Sequence, residues 1–241
     1  MEIILLLTGL TVAFIGTLAG SGGLIGMPVM LLIGIPVHTA IATAKFSNIT
    51  SSFTSFVYLV KERKVALREC LPLLPIAVAG GLTGALLSDQ IPARHLEWMA
   101  FFFLLFALLL SVYKGIRPKG DSRIRYRIYG YLYGISTYDG LFGPGQATML
   151  MYTHLLHGRS YLTSVALTRF QTFLSCLGAF TIYFQNGHVE WMIALPFASG
   201  ALIGAQLAVR IAGKLSLKQV GILLHILTLL LIIQLGIQLF F

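Results

Sequence analysis

Two basic residues stand where a membrane makes them costly. Lys45 and Arg169 each lie seven to nine residues inside a long apolar stretch, roughly 10–14 Å along a helix at 1.5 Å per residue. A cation at that depth costs at least about 2.5–3.5 kcal/mol on insertion scales. Asp139 is the one acid not near a segment end, and a single carboxylate cannot neutralise two cations. The remaining positive charge suits an anion. A polar stripe surrounds each cation: Thr39, Thr43, Ser47, Asn48, Ser51 and Ser52 in one stretch, Thr163, Thr168, Gln171, Thr172 and Ser175 in the other. Lys45, Asn48 and Ser52 share one helix face, and Arg169 and Thr172 occupy the matched face. Hydroxyl and amide donors fit an oxyanion. The bland alternative is an ion pair of Asp139 with Arg169 or Lys45, together with Lys45 reaching outwards towards water, with Ser and Thr serving helix packing.

Two glycine-rich breaks lie near these residues, one at Gly20 to Gly23 and one from Asp139 to Gln146. Each joins a long apolar piece to a short one. Glycine lets the chain turn, and the short helix that follows aims free N–H groups and its positive dipole end into the membrane. Gly22, Gly23, Gly145 and Gln146 are the candidate cradle, and Asn48, Thr172 and Ser175 the candidate polar contacts. The alternative is a tight hairpin that binds nothing. No Gly-Lys-Ser/Thr follows either break, so neither is a nucleotide loop. Asp139 is also the candidate proton carrier, as a buried carboxylate. His38, His154 and His157 fall near segment ends and read as interfacial. The histidines form no metal-ligand spacing, and no cofactor or metal is expected.

These residues need elements to hold them, and the composition says which. The chain has 241 residues, 57% hydrophobic and 10% charged, with mean hydropathy +0.86. A soluble domain carries roughly 25% charged residues. A soluble enzyme, a secreted disulfide scaffold and a disordered chain are thereby excluded. Apolar pieces cover about 3–20, 24–34, 38–60, 69–88, 95–114, 126–141, 146–157, 160–185, 189–211 and 216–240. The two shortest, 24–34 and 146–157, give roughly 16–18 Å of helix against a hydrocarbon core of about 30 Å. They are expected to be re-entrant or to cross a thinned region. Met1 and Glu2 open the first piece without a basic flank, so it reads as a retained helix. Cys70 and Cys176 read as free thiols.

The net charge of +9, 17 basic against 8 acidic residues, resolves by topology. Fourteen basic residues fall in the turns at 61–68, 114–127, 157–160 and 210–218; the alternate turns hold only Arg94. Basic residues gather on the cytoplasmic side, so those turns are expected inside the cell and both termini outside. That leaves Lys45 and Arg169. No nucleic-acid partner is implied.

The halves repeat. A shift of 124 residues carries Gly34 onto Gly158, Thr39 onto Thr163, Ala42 onto Ala166, Phe46 onto Phe170, Ser51 onto Ser175, Phe56 onto Phe180, Pro72 onto Pro196 and Gly80 onto Gly204. It also carries Lys45 onto Arg169. An odd number of pieces in each half inverts the second relative to the first. Inverted repeats with broken helices, and a site where the repeats meet, mark secondary transporters. The expected organisation is a first repeat over 1–116, a cytoplasmic linker over 117–125 and a second repeat over 126–241. The fold class is an all-α polytopic membrane protein of two inverted repeats with broken or re-entrant helices.

The run from Gly16 to Pro28 (GTLAGSGGLIGMP), then Gly34 to Pro36 and Ala40 to Thr43, resembles the first-half motif of the sulfite exporter TauE/SafE family. Gly134 to Gly145, Ala166 onward and Gly187 to Trp191 resemble its repeat. The resemblance implies a bacterial inner-membrane transporter of small sulfur-containing anions such as sulfite or sulfonates. The second half carries Gly143, Pro144, Gly145 and Gln146 where the fuller motif is a glycine run, so the Gln146 side chain is expected to replace a backbone contact. The expected function is export of such an anion by alternating access, with no enzymatic activity. A passive anion channel is the first rival and an intramembrane enzyme the second. The expected partners are a small anionic substrate, the bilayer and at most further copies of the chain in a homo-oligomer.

Overall fold

The computed structural model describes residues 1–19, 23–88, 90–92 and 127–214, with isolated helical positions between 95 and 105 and between 219 and 237. Among the described residues every regular element is a helix and no strand occurs. In chain order they are α1 (Glu2–Ala19), α2 (Gly23–Leu32), α3 (Val37–Lys61), α4 (Leu67–Cys70), α5 (Leu73–Ser88), α6 (Arg127–Leu141), α7 (Gln146–Leu156), α8 (Tyr161–Gln185) and α9 (Trp191–Ala212). Gly22, Arg94, the pieces expected over 95–114 and 216–240 and the linker 117–125 fall outside the described residues, apart from those isolated positions.

The short pieces are short helices. α2 has 10 residues and α7 has 11, about 15–17 Å at 1.5 Å per residue. Neither reaches across a core of about 30 Å. Three described segments are long and apolar enough to cross: Leu67–Ser88, Tyr161–Gln185 and Trp191–Ala212. The first is not one unbroken helix as expected. It turns at Leu71 and Pro72 between α4 and α5, because proline cannot donate to a helix already under way. Pro196 lies inside α9.

α3 and α8 each run 25 residues and form the centre. They are antiparallel, since Phe46 meets Phe180 (5.5 Å between ring centroids), Phe53 meets Phe173 (5.1 Å) and Phe56 meets Phe170 (4.8 Å). Residues 51–52 of α3 therefore face 174–175 of α8. Around this pair the outer helices exchange partners: α1 packs on α9, α5 packs on α6, α9 on α3 and α5 on α8. Glycine sets the closeness. A Cβ at Gly204 would collide with the Leu10 carbonyl of α1, and one at Gly84 with the Thr137 carbonyl of α6. Small residues let backbones approach in this way where apolar surface alone gives no preference between helix and lipid.

The solvation is inverted relative to a soluble protein. Leu7, Phe53, Phe184, Met192, Leu202 and Leu207 are exposed, while Thr43, Ser51, Ser52, Gln171 and Ser175 are buried. Such a surface suits a hydrocarbon solvent, and the chain is a membrane protein. Side chains from distant parts of the sequence tie both ends of the central pair. At one end Thr163 Oγ1 donates to the Lys64 carbonyl at 3.0 Å, and Arg159 pairs with Glu69. At the other, Thr39 Oγ1 donates to Glu190 Oε1 at 3.4 Å, and His38 stacks on His188 at 4.9 Å.

Candidate functional site

The break between α6 and α7 is built from its glycines. Gly143 has φ +101° and Gly145 has φ +82°, a left-handed conformation that side chains with a Cβ avoid. Tyr138 Oη donates to the Pro144 carbonyl at 2.7 Å, and Tyr183 Oη to the Gly140 and Leu141 carbonyls at 3.0 and 3.1 Å. These bonds satisfy carbonyls that the end of α6 would otherwise leave unpaired. The Gln146 N–H is taken up by the Gly143 carbonyl at 3.0 Å, so that amide is not free for a ligand. Ser160 caps α8 by accepting from the Thr163 N–H at 3.2 Å, which starts the helix that carries Arg169.

Lys45 is neutralised. Its Nζ lies 2.8 Å from Asp139 Oδ1 and also donates to the Asp139 carbonyl. The other carboxylate oxygen, Oδ2, accepts from Ser175 Oγ and, at 3.4 Å, from Cys176 Sγ. Both charged residues are 1% exposed. Gly143 lies directly against the pair: a Cβ there would sit 2.6 Å from Lys45 Nζ and 2.9 Å from Asp139 Oδ1. Asn48 is half-buried one helical turn after Lys45 on the same helix. Of the two partners open to Asp139 in the sequence, the structure selects Lys45.

Among the described residues Arg169 has no carboxylate partner. It is 4% exposed, and its Nη1 donates to Ser52 Oγ at 3.3 Å. Nε and Nη2 have no hydrogen-bond partner among the described residues. Those two groups form one edge of the guanidinium plane, spaced to meet two oxygens of a single oxyanion. An unsatisfied buried donor is costly, and here two lie on one charged edge. Ser52 was expected beside Lys45, but the antiparallel crossing hands it to Arg169.

The other candidates distribute around this centre. Gln146 and Thr172 bond each other at 3.3 Å, both buried. Ser175 belongs to the Asp139 cluster. Gly145 caps α7, and Gly23 opens α2. His154 is not interfacial as expected. It is 3% exposed and bonds Gln171 Oε1 at 3.2 Å, because α7 lies against α8 along its length. Ser164 Oγ, Thr168 Oγ1 and Gln171 Nε2, on the same side of α8, lack partners among the described residues. From its sequence Cys176 is only a free thiol, and its place one residue after Ser175 is the one clue to its contact with Asp139. Among the described residues no three His, Cys, Asp or Glu side chains gather into a metal-sized group.

The family described as "Sulfite exporter TauE/SafE" matches residues 5–235. The chain is 32% identical over 230 residues to "Probable membrane transporter protein ORF9" of Sinorhizobium sp, covering 92% of this chain and 87% of that one. It is 28% identical over 215 residues to a "Probable membrane transporter protein" of Haemophilus influenzae, covering 86% and 83%. It is 23% identical over 216 residues to "Probable membrane transporter protein YfcA" of Escherichia coli K12, covering 86% and 79%. No solved structure matches the chain significantly.

Proposed function

The chain belongs to the sulfite exporter TauE/SafE family of membrane transporters, and from that premise we propose that it carries a small sulfur oxyanion, sulfite or a sulfonate, out of the cell by alternating access. One observation carries the substrate class: the buried Arg169 edge, with Nε and Nη2 open and no acid beside it. Lys45 and Asp139 cancel, so among the described residues the centre keeps one net positive charge. Gln146, Thr172, Ser175 and Asn48 supply polar groups around it, and Gly22, Gly23 and Gly145 shape the breaks.

The reading places the chain in the bacterial inner membrane with both termini outside and two inverted repeats, 1–116 and 126–241, joined by 117–125. The 124-residue offset supports the inversion: α3 and α8 share both their length and that spacing, they are antiparallel, and the outer helices swap partners around them. α2 and α7 would be the re-entrant halves of broken helices. Alternating access then exchanges the Arg159–Glu69 end of the central pair for the His38–His188 end.

The test is flux in proteoliposomes with sulfite, taurine and sulfoacetate against matched carboxylates. Saturable movement of a sulfur anion is expected, abolished by Lys45→Gln with Arg169→Gln. Unchanged flux in that double variant refutes the site. A preference for carboxylates over every sulfur anion refutes the substrate class alone, and flux that does not saturate points to a channel. For topology, His188→Cys is labelled from either side; Cys70 and Cys176 are buried and give little background. Labelling from the cytoplasm refutes the inverted arrangement.

A further inference from the structure

Asp139 is the one buried carboxylate among the described residues, and the only acid in contact with a cation at the centre. We propose that Asp139 is a proton-binding site that switches the anion site on: as a carboxylate it holds Lys45, and as a carboxylic acid it releases the Lys45 ammonium, so one proton travels with each anion. The inference rests on the anion-transport reading above.

The geometry isolates the switch. From α3 only Lys45 faces Asp139 as a charged group. α8 presents Ser175 and Cys176, with Tyr183 Oη held by the carbonyls of Gly140 and Leu141. α5 presents Gly81, Gly84 and Ala85 to this part of α6. The break contributes Gly143, and Tyr138 of α6 is committed to the Pro144 carbonyl. Among the described residues no second acid and no histidine shares the cluster, so protonation of Asp139 changes the local charge by a full unit. Ser175, which touches Asp139, and Ser52, which holds Arg169, sit at facing levels of α3 and α8. The axes of packed helices lie about 8–10 Å apart, and about 10 Å is taken as the working separation of the switch from the open arginine edge.

The step balances simply. A proton adds to Asp139 from the side on which the anion enters, the Lys45–Asp139 ion pair becomes an ammonium beside a neutral acid, and the anion supplies the compensating charge. On the far side the anion leaves and Lys45 recaptures the carboxylate as the proton departs. Direction follows the sum of the two gradients, and an anion accumulated inside leaves with its proton.

The test uses the full chain and isethionate, whose sulfonate stays ionised throughout, so that the ligand does not titrate. One unit of charge at roughly 10 Å and an effective dielectric of about 20 predicts wild-type binding about ten- to twenty-fold tighter in acid than in alkali. Asp139→Asn mimics the protonated acid and is expected to bind tightly and equally at both pH values. Asp139→Glu is expected to keep the pH dependence. In liposomes a trapped pH dye should report proton movement with isethionate for wild type and none for Asp139→Asn. If Asp139→Asn does not fold with Lys45 unpaired, Lys45→Met with Asp139→Asn replaces it, with pH-independent binding and no proton movement expected. Retained proton movement or pH-dependent binding in either variant overturns the proposal, as does wild-type isethionate movement without protons, which leaves anion transport standing. Absence of any sulfur-anion movement by wild type refutes both readings.

Discussion

Replacing Arg169 by glutamine separates a ligand-binding residue from a packing residue by the sign of two effects. Arg169 Nη1 has Ser52, while Nε and Nη2 are open. A hydrogen bond to a charged group contributes about 1.5–3 kcal/mol, so two such bonds to a sulfonate amount to about 3–6 kcal/mol. At about 1.36 kcal/mol per decade, Arg169→Gln should weaken anion binding roughly 10²- to 10⁴-fold. Arg169→Lys keeps the charge but loses the planar fork; with one bond gone it should weaken binding roughly ten- to hundred-fold. Stability without ligand should move the other way. The variant removes a buried cation with unmet donors, whose desolvation the fold now bears, at the loss of one charge-assisted bond to Ser52. The ligand-free variant is therefore expected to melt at or above wild type, the usual relation at functional sites. Calorimetric titration of purified protein with isethionate gives the affinities, and thermal unfolding in the same detergent gives the stability. Binding by Arg169→Gln within threefold of wild type would refute the oxyanion edge. A variant that melts far below wild type would show that Arg169 is retained for structure.

Lys45→Met leaves Asp139 buried without its cation and should cost about 3–5 kcal/mol of stability, while adding Asp139→Asn should restore most of it; equal losses in single and double variants would contradict the pairing. Gly143→Ala places a Cβ 2.6 Å from Lys45 Nζ at a φ of +101°, and strain of about 1–3 kcal/mol should appear as a lower melting temperature with slowed transport. Gly204→Ala drives a methyl into the Leu10 carbonyl and should cost about 1–3 kcal/mol, whereas Gly130→Ala, with open space around it, should change melting little. Glu69→Ala removes a partly exposed ion pair with Arg159 and should cost no more than about 1 kcal/mol; a larger loss would mean that this end of the central pair contributes more to the resting state than its exposure implies.

The helices themselves were largely legible. The pieces expected over 38–60 and 160–185 are α3 (Val37–Lys61) and α8 (Tyr161–Gln185), and the short pieces over 24–34 and 146–157 are α2 and α7. Apolar length and glycine punctuation mark them clearly because the bilayer leaves so few alternatives. The turn at Leu71 and Pro72 was missed because proline near a helix start is usually tolerated, and here it falls after a turn of helix has already formed. His154 was misplaced for a related reason. Nearness to a segment end suggests an interface, but α7 is a short helix laid against α8, so its end is inside the protein.

Periodicity and charge alone pointed to Lys45 and Arg169 as cations inside apolar stretches, where both are buried among the described residues, and to Asp139 as the acid left to serve them. They did so because burying charge in a membrane is costly enough to make each instance conspicuous. Only the tertiary structure decided how the acid is spent. Asp139 goes to Lys45 across 94 residues of chain, Ser52 goes to Arg169 across 117, and one edge of Arg169 is left open. Helical spacing says which side chains share a face; which face meets which is set by the antiparallel crossing of α3 and α8 and by glycines that let the flanking backbones touch.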